Sequence, residues 1–186
     1  MREDEIGYLA KTYYGEDNIP AVMTKYRVEG LTMEKWQDWV ADPATHACTV
    51  NCKLTRVDLP EDEGHESVIL KMALPFIFTN RSSVLTFYRH ELEDGTGLTM
   101  SSSLGNEEFF ETHADKIDGD VITNNVVNYC SYKAYEGGVE LAQITKMDCM
   151  GMIPDFVKSI IAGRTSGNLK YLVALIKDGI VPEAPF

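Results

Sequence analysis

The sequence predicts an α+β fold, an antiparallel sheet with a helix near each end of the chain. Three observations carry this reading. Apolar and polar residues alternate over several short stretches, two other stretches repeat at helical spacing, and hairpin-type turn residues separate the strands. The 186 residues suit one compact domain, residues 1–186, since single cores grow to about 250 residues. No repeat or linker divides them, and a hydrophobic content of 44% is too high for disorder.

The first clear strand is Ala21 to Glu29, alternating through Val22, Tyr26 and Val28 and ended by Gly30. Thr32 is placed to cap a helix carrying Met33, Trp36, Trp39 and Val40, with Asp42-Pro43 as its stop. A Trp pair at that spacing packs against a sheet. From His46 to Val57 the period returns to two, with Cys48, Val50, Cys52 and Leu54 on one face. The acidic stretch Leu59 to Glu66 reads as a solvated loop. Val68, Leu70, Met72 and Leu74 follow as a second alternating strand, stopped by Pro75.

Val84 to Glu91 and Gly97 to Ser103 read as a hairpin turning at Glu93 to Gly97. Leu104 to Gly119 admits either a short helix or a loop plug around Phe109-Phe110. Val121 to Tyr135 and Val139 to Met147 form the last hairpin around Glu136-Gly137-Gly138. The closing segment changes period: Ile153, Phe156, Val157, Ile160, Ile161, Leu169, Leu172, Val173 and Ile176 fall at helical spacing. A helix over Pro154 to Lys177 would be about 36 Å long. Gly163 and Gly167 leave two readings: one helix with a bend, close approach or mobile lid, or a helix interrupted by a loop.

The net charge of −12 counts against nucleic acid, which needs a basic surface. It also weakens electrostatic attachment to anionic lipid. Lys158, Arg164, Lys170 and Lys177 in the last helix read as a solvated face before a membrane patch. The longest apolar run, Tyr171 to Ile176, is far short of a bilayer span. The acidic start Met1-Arg2-Glu3-Asp4-Glu5 is not a signal peptide, so a cytoplasmic location is expected. Four scattered cysteines fit a reducing compartment. His46, Cys48 and Cys52 invite a zinc site, but no second ligand pair follows and buried packing is the expectation. No metal or cofactor is expected.

Catalysis finds little support. The chain has no G-x-S-x-G, P-loop, dinucleotide fingerprint or H-E-x-x-H. His65, His90 and His113 have acidic neighbours, but His90 and Glu91 on one strand point to opposite faces.

Two motifs point to a family. Leu74-Pro75-Phe76-Ile77-Phe78-Thr79-Asn80-Arg81 resembles the LPFPxSNRD signature of START (steroidogenic acute regulatory protein-related lipid transfer) domains. Asp148-Cys149-Met150-Gly151-Met152-Ile153-Pro154-Asp155-Phe156-Val157 resembles the DxxGxIPxWLI entry to the START C-terminal helix. The resemblance covers roughly residue 20 to the end. It implies a helix-grip fold: a curved antiparallel sheet wrapped around the long C-terminal helix, with an internal apolar cavity. Ser82 stands where the first motif usually continues with Asp, and Phe156 where the second has Trp. Phe87 occupies the offset at which many members carry a cavity Arg, which tilts the ligand toward weak polarity. The family's first N-terminal helix is shortened or absent.

The resemblance implies binding, and transfer between membranes, of a lipid gated by the C-terminal helix. Phospholipid, sterol and fatty acid all remain open. The expected partners are that lipid and, transiently, a membrane surface, with no nucleic acid and a monomeric chain. Cavity positions would include Val50, Leu54, Leu70, Met72, Leu85, Phe87, Leu98, Met100, Leu141 and Met147, roofed by Phe156, Ile160 and Ile161. The alternative is that these residues only pack on one another. Tyr129 is a further candidate; with Tyr132, Tyr135 and Asn124, Asn125 and Asn128 it suggests a choline cage, although ordinary strand tyrosines are the better reading. Arg81 is the candidate polar contact, with loop carbonyls as its commoner use. Two other functions stay open: an enzyme on the same scaffold acting on an apolar small molecule, and a ligand-sensing interaction domain.

Overall fold

A computed structural model describes residues 8–41, 52–56, 66–72, 79–103, 111–112, 115, 121–151 and 153–178. The strands are β1 (Tyr8–Tyr14), β2 (Pro20–Glu29), β3 (Cys52–Arg56), β4 (Glu66–Met72), β5 (Arg81–Glu91), β6 (Gly97–Ser102), β7 (Val121–Ile122), β8 (Asn124–Tyr135) and β9 (Gly138–Asp148). The helices are α1 (Met33–Ala41) and α2 (Asp155–Lys177). Eight strands form one antiparallel path in the order β1-β2-β9-β8-β6-β5-β4-β3, and β7 pairs with β5 in parallel. The arrangement is α+β, a sheet gripping a C-terminal helix, as the element order implied.

β1 was not foreseen. It pairs with β2 from Tyr8↔Tyr26 to Tyr14↔Pro20, but as an edge strand it has no alternation to announce it. Its tip carries Asn18 at φ 52°, with Ile19 N–H donating to Asp17 Oδ1 at 3.1 Å. Edge-to-face packing of Tyr8 on Tyr26, centroids 5.2 Å apart, ties it to β2.

α1 places Trp36 and Trp39 over the sheet as a stacked pair, 5.8 Å between centroids. Their cluster joins Val28 and Val139, Tyr132 and Leu141, and Leu169, Leu172, Val173 and Ile176 of α2. Thus α1 and the C-terminal half of α2 share one core. A second, smaller cluster, Cys149, Ile153 and Val157, anchors the N-terminal half.

α2 is unbroken through Gly163 and Gly167, which decides between the two readings of that segment. Both glycines are exposed, and a Cβ at either would meet nothing within 4 Å, so close approach does not explain them. Thr165 Oγ1 donates to the Ile161 carbonyl at 2.9 Å and Ser166 Oγ to the Gly163 carbonyl at 2.7 Å. At 1.5 Å per residue, the helix is roughly 35 Å long.

Val50, the metal candidates His46 and Cys48, His65, His113 and the Phe109-Phe110 pair lie outside the described residues.

Candidate ligand-binding site

The strand register sorts side chains onto the helix-facing or the opposite side of the sheet, because paired residues share a face. One helix-facing row runs Gly97, Tyr132, Leu141, Tyr26, Tyr8 and is largely aromatic and aliphatic. The next runs Thr99, Cys130, Gln143, Thr24, and the next Ser101, Asn128, Thr145, Val22. The centre of the gripped face is therefore polar and uncharged. Asn128 Oδ1 accepts from Gln143 Nε2 at 3.0 Å and from Thr145 Oγ1 at 3.1 Å.

Besides Tyr8 Oη at the β1 edge, three polar atoms among the described residues on this face have no hydrogen-bond partner: Thr24 Oγ1, Ser101 Oγ and Asn125 Oδ1. Their residues are 1%, 2% and 5% exposed. Leaving such a group unpaired costs roughly 1–3 kcal/mol. Asn125 lies opposite Met147, beyond a bulge that separates it from Val127, and so shares the helix-facing side.

This register corrects three cavity candidates. Leu98 and Met100 alternate with Gly97, Thr99 and Ser101, so they lie on the face away from α2, together with Tyr129, which pairs with Met100 and Ile144. Apolar alternation predicts Leu98 and Met100 inward, but pairing of Gly97 with Tyr132 and Ser101 with Asn128 fixes the opposite parity and leaves buried hydroxyls on the inner face. Tyr129 and Tyr135 share that outer side, while Tyr132 is 1% exposed and donates its hydroxyl to Glu91 Oε1 at 3.1 Å. The three tyrosines do not converge.

Other candidates fall on the helix-facing parity. Leu85 is buried, Phe87 pairs with Ser101, and Leu70 pairs with Ser83. Leu54 and Met72 occupy register positions opposite Leu70 and Arg81. Met147 and Ile161 pack partly buried against the Cys149, Ile153 and Val157 cluster. Phe156 and Ile160, expected in the roof, are instead 66% and 51% exposed. The inward stripe at this end is Ile153, Val157, Ile161, spaced by four, which turns residues 156 and 160 outward.

Beneath that end of α2 is a cavity of about 180 Å³, bounded by the β1–β2 turn and lined by Met147, Ile153, Lys158 and Ile161. Small-molecule sites start near ~300 Å³, so this space is smaller than a typical complete ligand site. Met150, 45% exposed, lines it as well, close in sequence to Phe156.

Arg81 closes the turn that leads into α2. Its Nε donates to the Cys149 carbonyl at 3.1 Å, its Nη2 to the Met150 carbonyl at 3.3 Å, and its Nη1 to the Thr79 carbonyl. Arg81 is 4% exposed as a residue, and its guanidinium bonds backbone carbonyls. Met150 and Gly151 both adopt left-handed φ, 51° and 70°, and Met150 N–H donates to Asp148 Oδ1 at 2.9 Å. Gly suits this conformation; Met tolerates it under strain.

Burial pushes the Cys130 thiol up to about 12 and the Cys149 thiol up to about 11. Neither is a nucleophile near neutral pH.

A sheet of this topology gripping one long C-terminal helix defines the helix-grip class. Solved structures place the chain within it more closely. Human StAR-related lipid transfer protein 5 is 14% identical, with 95% of this chain and 89% of that chain covered at a TM-score of 0.69. A STAR-related lipid transfer protein from Xanthomonas axonopodis is 15% identical, covering 95% and 97% at 0.70. Human STARD10 is 9% identical, covering 94% and 74% at 0.67. The chain has the fold of the StAR-related lipid transfer domains. No protein-family model and no curated protein sequence matches it.

Proposed function

We propose that the chain, acting as one domain, binds a lipid between the helix-facing side of the sheet and α2, and carries it between membranes. The observation that carries this reading is the unsatisfied polar floor: Thr24 Oγ1, Ser101 Oγ and Asn125 Oδ1 are buried on the helix-facing side of the sheet without a hydrogen-bond partner. A core packed only for stability gains by removing such groups; a binding site retains them for its ligand. The shared fold supports a lipid as that ligand. The central side chains are hydroxyls and carboxamides, which favours carriage over acid–base chemistry.

The lipid enters as the N-terminal end of α2 lifts. Met150, Phe156 and Ile160 are exposed there, beside the 180 Å³ cavity, and give the protein an apolar edge to set on a bilayer. Among the described residues no helix is long and apolar enough to cross a membrane.

Native mass spectrometry of the purified protein, followed by extraction and identification of lipid, tests binding. A stoichiometric lipid, or uptake of fluorescent lipid from vesicles by the empty protein, is expected; neither appearing overturns the reading. Because Phe156 faces solvent, Phe156→Asp should leave bound lipid in place while slowing vesicle-to-vesicle transfer.

A further inference from the structure

We infer that the floor formed by Thr24, Ser101 and Asn125 around the Asn128, Gln143 and Thr145 cluster is a seat for the hydroxyl-bearing polar part of an uncharged lipid. The inference rests on the lipid-binding reading and specifies the ligand class.

The chemistry of the orphan atoms is selective. Asn125 Oδ1 is an acceptor only, so its partner must bring an O–H or N–H. An ionised carboxylate or phosphodiester offers neither. Thr24 Oγ1 and Ser101 Oγ both donate and accept, which suits hydroxyl and ester carbonyl groups alike. From β2 to β6 the floor crosses β9 and β8, three strand spacings or roughly 14 Å. A ligand with several uncharged polar groups, such as an acylglycerol, has the extent to meet more than one of them.

The charges among the described residues disfavour an anionic headgroup on this floor. Among the described residues the buried charged side chains are Arg81 and Glu140. Arg81 spends its three nitrogens on the Thr79, Cys149 and Met150 carbonyls. Glu140 lies on the opposite face, where it meets Arg27, Lys133 and Lys25. Lys158, which lines the neighbouring cavity, is paired with Asp155, so among the described residues a phosphate on the floor would lack a free buried counter-cation, which is strongly unfavourable.

The test compares fluorescent diacylglycerol with phosphatidate of the same acyl chains, each offered in phosphatidylcholine vesicles. Diacylglycerol should bind at least about 10-fold more tightly, given the cost of burying an uncompensated charge. Thr24→Val and Ser101→Ala should each weaken diacylglycerol binding by about 5-fold, the effect of one neutral hydrogen bond. The same variants should raise the Tm of the empty protein, because each removes an unpaired buried polar group. A hydroxyl with a structural role would lower it. Equal binding of both lipids, or variants with unchanged diacylglycerol affinity, overturns the seat and leaves lipid binding standing. Uptake of neither lipid, with none co-purified, overturns both. Two variants guard against one failing to fold.

Discussion

The ring of Tyr132 occupies the space into which a side chain at Gly97 would project: a Cβ there would overlap its Cζ, hydroxyl and Cε2 atoms. The two residues pair across β6 and β8, and Tyr132 packs edge-on against Trp36 with centroids 6.2 Å apart. Gly97→Ala should therefore destabilise the fold by about 1–3 kcal/mol through overpacking. In a Tyr132→Leu background the two losses should be strongly non-additive, as residues in contact are. Urea unfolding of the four proteins measures this; additive losses would mean that Tyr132 is not the obstacle.

Removing the Arg81 guanidinium strips three backbone carbonyls of their donor at once. Arg81→Met should cost about 3 kcal/mol, in the range for charged hydrogen bonds at a buried site. Amide exchange should rise at Met150 and Ile153, next to the turn that it clasps. Unchanged exchange there would show that the turn holds itself.

Gly163 and Gly167 sit on the exposed side of α2 with open space around them. Gly163→Ala and Gly167→Ala should each stabilise the helix by about 1 kcal/mol. If the helix must flex to release lipid, the double variant should also transfer lipid between vesicles more slowly. A more stable variant with unchanged transfer would separate release from helix flexibility.

Glu140 bridges strands on the outer face. Its bond from Arg27 Nε, 2.6 Å, lowers its pKa first, and bonding to Lys133 and the charge of Lys25 add to this, against the cost of burial. The carboxyl falls from 4.5 to about 2. A group depressed on folding stabilises the native state above its unfolded value and loses that contribution as pH falls through the folded one. Stability should decline between about pH 5 and 2, and Glu140→Gln should flatten that limb. Because Lys25, Arg27 and Lys133 are more than half exposed, salt should weaken the effect. A limb of equal slope in the variant would move the origin elsewhere.

How much of this was legible in the sequence depended on periodicity. The α1 stripe of Trp36, Trp39 and Val40 and the hairpin around Glu136-Gly137-Gly138 could be read directly, because amphipathic period and turn chemistry agreed there. β1 was missed because an edge strand need not alternate. The polar floor was missed for a sharper reason: on β6 the apolar residues Leu98 and Met100 point away from α2, while Thr99 and Ser101 point toward it. Reading apolar as inward fails wherever the buried face of a strand carries hydroxyl side chains, as β6 does here. The clue was the run Thr99-Met100-Ser101-Ser102-Ser103, three serines and a threonine in a segment that the spacing placed in a strand.

The two apolar anchors of α2 are unequal. Leu169, Leu172, Val173 and Ile176 are embedded with α1 and residues of β2, β8 and β9, and Lys177 Nζ holds the Glu29 carbonyl at 2.8 Å. The other end rests on Cys149, Ile153 and Val157. Such an element behaves as a lever with its fulcrum far from its tip. Thermal fluctuations should raise the Phe156 end before they disturb the Leu172 end, so the side proposed for lipid entry is also the one with the smaller apolar anchor. On that reading, the residence time of a bound lipid is set by this small cluster and the turn that Arg81 clasps, and single substitutions there should adjust it without touching the larger core.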